Sequence, residues 1–477
     1  MLKLRTVKAL FVLVAVVLII APASATITSD SGLGLYEKPW MVDGLHSMIY
    51  QNPAYLSKNK NRMFYERLGF DNNGTNMGGF IWNPISSFNI GVLLGHRVNN
   101  SIWNSKGDGS FFHVGSGGTA YQPGSLDNAT LSENNSSLEL RDPSGGDDLR
   151  QQIKQQDVAI VASYDLGNMA FGFSFSYASA WKSDNYNSLT RDDKYTLSSS
   201  QYNILLGGII DLGNTMILDF DVLYTYYDLE NTYKADDGGT GLEMTYEGDN
   251  AMDVKLGVGF NMNISNLQRL HFRVAYGFMN RSAKGTYNNN EIDIANDNYK
   301  RIGNEIIFGI SDEFRFSNNM MAFIGGHLNF TMFSYEYSGE IVEGTITPPD
   351  AYKADIKSVS IPLVIGLQGN LSKNWTARCA VSHIIYDMYI SDITVGSNKG
   401  TINDNLSHDT EFTVGVSYKL GYFKFDWVLN VGIFVEGPYF ISGKTPASIG
   451  GGESSTPVSG AFAVSFVFDS LLSKQGQ

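Results

Sequence analysis

What is scarce in this chain narrows the field before any motif is read. Its 477 residues contain one cysteine, Cys379. A lone thiol cannot build a disulfide framework, and it leaves no lipid-attachment cysteine near the N-terminus. Positive charge is also short: 34 Lys and Arg face 48 Asp and Glu, a formal net charge of −14. An acidic surface repels nucleic acid, so that partner is excluded. Beyond the first 25 residues no run approaches eighteen consecutive apolar side chains, so no helix can span a bilayer. The catalytic signatures G-x-S-x-G and H-E-x-x-H are missing as well. Residues 437–445 (GPYFISGKT) come near a phosphate loop, but five residues separate the glycines where four are needed. The seven histidines are scattered, with no pair at a metal-ligand spacing. No enzyme is expected, and no metal or other cofactor.

What is present is alternation. In residues 251–279, Val254, Leu256, Val258, Phe260, Met262 and Ile264 take every second position, with Asp253, Lys255, Gly257, Gly259, Asn261 and Asn263 between them. After a polar turn at Ser265-Asn266, Leu270, Phe272, Val274, Tyr276 and Phe278 alternate with Arg269, His271, Arg273, Ala275 and Gly277. Period two gives a strand one apolar and one polar face. Soluble strands average about five or six residues, and these run for about twice that, the length of a membrane-crossing strand. The pattern is that of a transmembrane hairpin with lipid outside and water inside. Met169, Phe171, Phe173, Phe175 and Tyr177, set against Ala170, Gly172, Ser174, Ser176 and Ala178, repeat it.

The expected fold is all-β: a transmembrane antiparallel β-barrel of 14 to 16 strands. Thirteen strands alternate between residues 157 and 468, and three shorter ones are predicted at 63–70, 77–82 and 88–96. Counting residues 61–82 as an inner segment instead would give fourteen. Short turns (Leu166-Gly167, Leu212-Gly213, Ser265-Asn266, Asn318, Ser372-Lys373, Gly421) switch with long polar connections, the asymmetry of periplasmic turns and external loops. Residues 97–156 read as one long loop, with a weakly helical stretch at 147–156. Aromatics such as Tyr164, Phe316, Trp375, Tyr224 and Tyr226 gather near strand ends, as headgroup belts would. Residues 1–25, with Lys3, Arg5 and Lys8 before an apolar run and Ala23-Ser24-Ala25 after it, form a secretory signal peptide. The expected address is the outer membrane of a diderm bacterium, amid its lipid and lipopolysaccharide. Residues 26–60 do not alternate, and residues 61–477 form the barrel.

Charges fall on the polar face of the strands: Asp219, Asp221, Asp253, Lys255, Arg269, His271, Arg273, Glu305, Glu313, Arg315, Arg378, Lys419, Lys424 and Asp426. Both signs occur, so cross-strand pairs can satisfy them. The balance favours an ordinary hydrated inner wall. A polar pathway through the lumen is the sharper alternative, with Arg269, His271, Arg273, Asp219 and Asp221 as its best candidates. His383 lies on the apolar face, where an outer-wall phospholipase would need it, but the sequence shows it no serine partner.

Residues 43–56 (DGLHSMIYQNPAYL) hold the most specific signal. An aromatic residue followed by Asn-Pro-Ala before the first strand resembles the FadL-like outer-membrane transporters of long-chain fatty acids and aromatic hydrocarbons. Tyr50, Asn52, Pro53 and Ala54 carry the match, with Gln51 intervening; Asn83-Pro84-Ile85 before Phe88 is similar to the family's turn between strands two and three. The resemblance implies a fourteen-stranded barrel, residues 26–60 folded into the lumen as a hatch, a hydrophobic small-molecule ligand and a side opening in the wall. Asn-Pro-Ala also occurs in PorV-like shuttle proteins, whose partner is secreted protein cargo, so that role stays open. Nine residues follow Phe468, where the family usually ends on an aromatic.

Overall fold

A computed structural model describes residues 33, 39–42, 47–58, 63–69, 77–85, 87–94, 154–187, 192–213, 215–236, 241–280, 282–289, 292–317, 319–344, 352–395, 398–404, 410–421, 423–434 and 458–467. The signal peptide, the loop at 97–153, residues 437–445 and the tail after Phe468 lie outside them. Three short helical pieces come first: a 3-10 turn at Pro39–Met41, one α-turn (α1, Met48–Gln51) and a 3-10 helix at Pro53–Ser57. The strands follow as β1 Met63–Gly69, β2 Met77–Ile85, β3 Phe88–Leu94, β4 Lys154–Asp165, β5 Met169–Asn187, β6 Asp192–Asp211 and β7 Met216–Asp236. Next come β8 Gly241–Gly248, β9 Met252–Asn263, β10 Gln268–Asn280, β11 Ala283–Asn289, β12 Ile292–Ser317 and β13 Met320–Gly344. The last are β14 Tyr352–Asn370, β15 Trp375–Val395, β16 Asn398–Asp404, β17 Thr410–Leu420, β18 Phe423–Phe434 and β19 Val458–Val467.

All nineteen strands among the described residues belong to one sheet, and β19 returns antiparallel to β1, with Met63 opposite Val467 and Gly69 opposite Ala461. The sheet therefore closes. Closure is what lipid demands, because the hydrocarbon cannot hydrogen-bond a free strand edge. Three strands continue the line of a neighbour. β8 and β9 both pair with β7, β10 and β11 with β12, and β16 and β17 with β15. The nineteen strands thus fill sixteen positions in the ring. That is the upper of the two expected counts, and two more than the resemblance implies.

Burial runs inside out. Val258, Phe308 and Ile310 are 50%, 51% and 53% exposed, whereas Asp219, His271 and Glu313 are 2%, 1% and 1% exposed. Such an exposed apolar belt over a polar interior suits a barrel set in hydrocarbon. The protein is an outer-membrane-type β-barrel. At the tight turns Gly167, Gly213 and Gly421 adopt φ of +93°, +104° and +61°, where a side chain would strain the backbone.

Several predicted boundaries need correction. β12 and β13 run for 26 and 25 residues, not the fifteen to seventeen that alternation suggests. A spanning strand needs about 9–11 residues, so more than half of each stands beyond the bilayer. There both faces can be wet and the apolar alternation fades, which is also why β8, β11 and β16 read as loop. Residues 154–156, expected as weak helix, begin β4. Asn83 and Pro84, expected as a turn, lie in β2 where its register against β3 shifts between Trp82 and Ile85. A bulge is one of the few places a sheet accepts proline.

The face assignment has a direct test. Val258→Arg places a charge on the outer face midway along β9 and should destabilise the barrel by roughly 2–4 kcal/mol. Val258→Leu should be close to neutral. Urea unfolding in micelles, read by the gel shift between heated and unheated samples, measures both.

Candidate functional site

The site is built where the N-terminal segment meets the inner wall. Asn52 is extended (φ −144°, ψ 106°) and stands at the start of the Pro53–Ser57 helix. Its Oδ1 accepts from the Ala54 amide at 3.0 Å, capping that helix. Its Nδ2 then donates to two wall carbonyls, those of Gly208 and Phe220, each at 3.1 Å. Proline follows naturally, since its fixed φ suits the first helical position and its missing donor is no loss there. Alanine follows because of what it presses against. A Cβ built on Gly172 would lie 2.2 Å from the Ala54 nitrogen, and one on Gly207 would lie 2.0 Å from Asn52 Oδ1. Gly172 and Gly207 are directly opposite one another across β5 and β6, so together they form a notch for Asn52-Pro53-Ala54. Trp40 has a seat of its own on β12, where a Cβ on Gly309 would meet its ring at 2.2 Å.

Apolar packing holds the segment from the other side. Leu33, Trp40, Met41, Val42, Met48, Ile49, Ala54 and Leu56 form one cluster with inward residues of the wall, among them Ile81, Leu93, Val161, Ile209, Phe323 and Val364. The inner wall is therefore not simply a hydrated polar surface, because the segment buries an apolar side of its own. Tyr50 is partly buried at the margin of this cluster.

The five charged site residues gather on β7 and β10. Arg273 donates to Asp219 at 3.1 Å and to Asp221, and all three are buried. Gly257 and Gly259 supply the space, since a Cβ at either would collide with Arg273 or these two carboxylates. With the Gln51 amide assigned so that its oxygen faces Arg273, that oxygen lies 2.6–2.9 Å from the guanidinium nitrogens. Tyr55 donates its hydroxyl to Asp219 at 3.1 Å and accepts from Asn261 Nδ2 at 3.4 Å. His271 meets Asn261 Oδ1 through Nδ1 at 2.8 Å, while its Nε2 lies 3.3 Å from Glu313. Arg269 is apart from this core, donating to Asn263 at 2.5 Å. The charges thus hold one another and the N-terminal segment. Sequence reasoning missed the partners Gln51, Tyr55 and Asn261; the signal available was that Tyr55 follows Asn-Pro-Ala directly.

His383 meets a hydroxyl, that of Thr410, at 2.7 Å. A threonine there is not the serine and amide arrangement of an outer-wall phospholipase. Lys255 pairs with Glu305 at 3.3 Å, and Lys424 with Asp426 at 3.0 Å beside Ser417 and Arg378.

No protein-family model matches the chain, and no curated protein matches it. Among solved structures, a Pseudomonas aeruginosa FadL homologue aligns over 94% of this chain and 99% of its own, at 12% identity and a TM-score of 0.44. The Pseudomonas putida toluene transporter TodX aligns over 94% and 99%, at 8% identity and 0.39. The ferric yersiniabactin uptake receptor FyuA of Yersinia pestis aligns over 85% and 80%, at 8% identity and 0.38. These are distant likenesses, and the class is defined by the ring itself: a closed, sixteen-position barrel with its N-terminal segment seated inside.

Gly207→Val should unseat Asn52, because the new side chain needs the volume that Asn52 Oδ1 and Pro53 occupy. The expected outcome is a clear rise in conductance in planar bilayers with the barrel still heat-modifiable. Gly369→Ala, whose Cβ would meet nothing within 4 Å, should leave conductance unchanged.

Proposed function

We propose that this barrel is a FadL-like channel for passive uptake of hydrophobic small molecules, fatty acids or aromatic hydrocarbons, with residues 26–60 acting as its hatch. The observation that carries the reading is the Asn52-Pro53-Ala54 turn seated in the Gly172–Gly207 notch inside a closed ring. A ring of this size would otherwise enclose a water-filled channel. Once the hatch moves, the wall residues it covers, Ile81, Leu93, Val161, Phe323 and Val364, would present an apolar face that favours an apolar ligand over an ion. Tyr50, Asn52, Pro53 and Ala54 set the hatch, and Arg273 with Asp219 and Asp221 anchors it.

An apolar ligand also needs a way into the bilayer, and the described wall is irregular around Pro362. The β13–β14 ladder skips His327 and Leu328, and β14 against β15 shifts register between Ile361 and Pro362. Pro362 explains the skip against β13, since it offers no backbone donor in the middle of a strand, and the shift against β15 is a bulge, one of the few places a sheet accepts proline. This seam is the place we assign to the side opening.

A second reading, a PorV-like shuttle that binds secreted protein cargo, draws on the height of β12 and β13 above the bilayer. One set of experiments separates the two. Uptake predicts that the intact protein retains a fatty acid or aromatic hydrocarbon, and that cells lacking it grow poorly on that compound. It further predicts that Pro362→Val slows uptake, because the one ladder bond its restored N–H can make stabilises the closed seam by roughly 0.5–1.5 kcal/mol. Co-purification of a folded secreted protein, with no apolar ligand retained, would favour the shuttle.

A further inference from the structure

The N-terminal segment rests on the ring at two separate places. Around Asn52 it is bonded to the carbonyls of Gly208 and Phe220, and through Tyr55 to Asp219. Four strand spacings from β6 along the wall, about 19 Å, it meets β12. There Ser311 donates to the Met41 carbonyl at 2.7 Å, and Trp40, 8% exposed, fills the space above Gly309. A Cβ on Gly309 would lie 2.2 Å from its Cη2, 2.4 Å from Cζ2 and 3.1 Å from Cζ3. These three atoms are the outer edge of the indole's six-membered ring. What enters the seat is therefore the edge of a benzene ring.

The surroundings leave room for a ring and little else. Gly309 stands opposite Arg273 on β10 and His327 on β13. Arg273 turns the other way, over Gly257 to Asp219 and Asp221. The next inward positions are small: Ala275 on β10, Ser311 on β12 and Gly325 opposite it on β13. Phe323 and Val364 belong to the same apolar cluster as Trp40. The row runs on from Gly309 through His327 to Pro362, where the β13–β14 ladder is interrupted. A glycine inside a strand marks the close approach of another group. In this wall the approaching ring belongs to the segment that has to move before anything can pass.

We infer that the Gly309 seat is a binding site for one aromatic ring, filled by Trp40 while the hatch is closed and by an aromatic ligand once Trp40 lifts. A flat ring enters edge-first where the wall has no side chain, and a saturated ring is too thick to follow it. A ligand seated there lies in the row that leads to Pro362. The site rests on the uptake reading, and it narrows the ligand from apolar molecules in general to those carrying a six-membered aromatic ring. Trp40 is then an internal competitor. Holding the seat for about nine-tenths of the time or more, it lowers the apparent affinity for ligand roughly tenfold or more.

The test titrates ethylbenzene and ethylcyclohexane, which differ mainly in ring thickness, against the full-length protein in lipid nanodiscs. Bound ligand and tryptophan emission are read together. Ethylbenzene should move the Trp40 emission, taken as wild type minus Trp40→Ala, to longer wavelength as the indole leaves its buried seat. Trp40→Ala should bind ethylbenzene roughly tenfold tighter than wild type. Adding Gly309→Val to Trp40→Ala should abolish that gain, because the new side chain fills the seat. Heat-modifiability shows that each variant is folded. Equal affinity in wild type and Trp40→Ala, a gain that survives Gly309→Val, or ethylcyclohexane bound as tightly as ethylbenzene would overturn the site. If the site fails in this way while Gly207→Val still raises conductance, the hatch stands without it. If ethylbenzene fills the seat but enters cells lacking the protein as fast as the parent cells, the uptake reading falls and the ring site stands.

Discussion

Hydrocarbon offers a polypeptide backbone no hydrogen-bond partner, and everything else in this structure follows from that. Each strand must satisfy both edges within the sheet, so the chain cannot stop until β19 meets β1. Once the ring is closed its two faces meet different solvents. The outer face carries Val258, Phe308, Ile310 and their like into lipid, and polar side chains collect inside. Charges that would be costly on the outside become affordable within, provided they find partners.

Those inner partners are not arranged merely to neutralise one another. Glycines recur on the inner face at Gly172, Gly207, Gly257, Gly259 and Gly309, and each leaves room for a specific neighbour. Two seat the Asn-Pro turn, two hold the Arg273–Asp219–Asp221 group, and one takes Trp40. Fixing an otherwise irregular segment inside a barrel requires many modest contacts, because the ordering entropy of each residue opposes them. The capping bond of Asn52, its two wall carbonyls, the Tyr55–Asp219 bond and the apolar cluster supply them together. The wall is thus shaped to its insert.

The strands that cross the membrane were legible because lipid enforces period two. Residues 252–280 could be assigned by eye, and the inward position of His271 and Arg273 followed from that assignment. The parts of β12 and β13 beyond the bilayer were not legible, since water on both faces imposes no alternation. The inward apolar residues also escaped notice. In β4, Val158, Ala159, Ile160 and Val161 are apolar on both faces, with Ala159 and Val161 packed into the cluster that includes the N-terminal segment. Alternation alone could not tell such a stretch from an ordinary spanning strand. Asn52, Pro53 and Ala54 were recognised by resemblance, but their seats were not, because Gly172 and Gly207 lie more than a hundred residues away in sequence. The links from Gln51 to Arg273 and from Tyr55 to Asp219 are likewise contacts that only the closed ring creates.

The central claim is that the N-terminal segment plugs a ring that would otherwise conduct. The most direct measurement is the single-channel conductance of the full-length protein beside that of a chain lacking residues 26–58, both in planar bilayers under the same salt. The account predicts a nearly non-conducting intact barrel and large, steady openings once the segment is removed. Equal conductance from two folded, heat-modifiable barrels would contradict it.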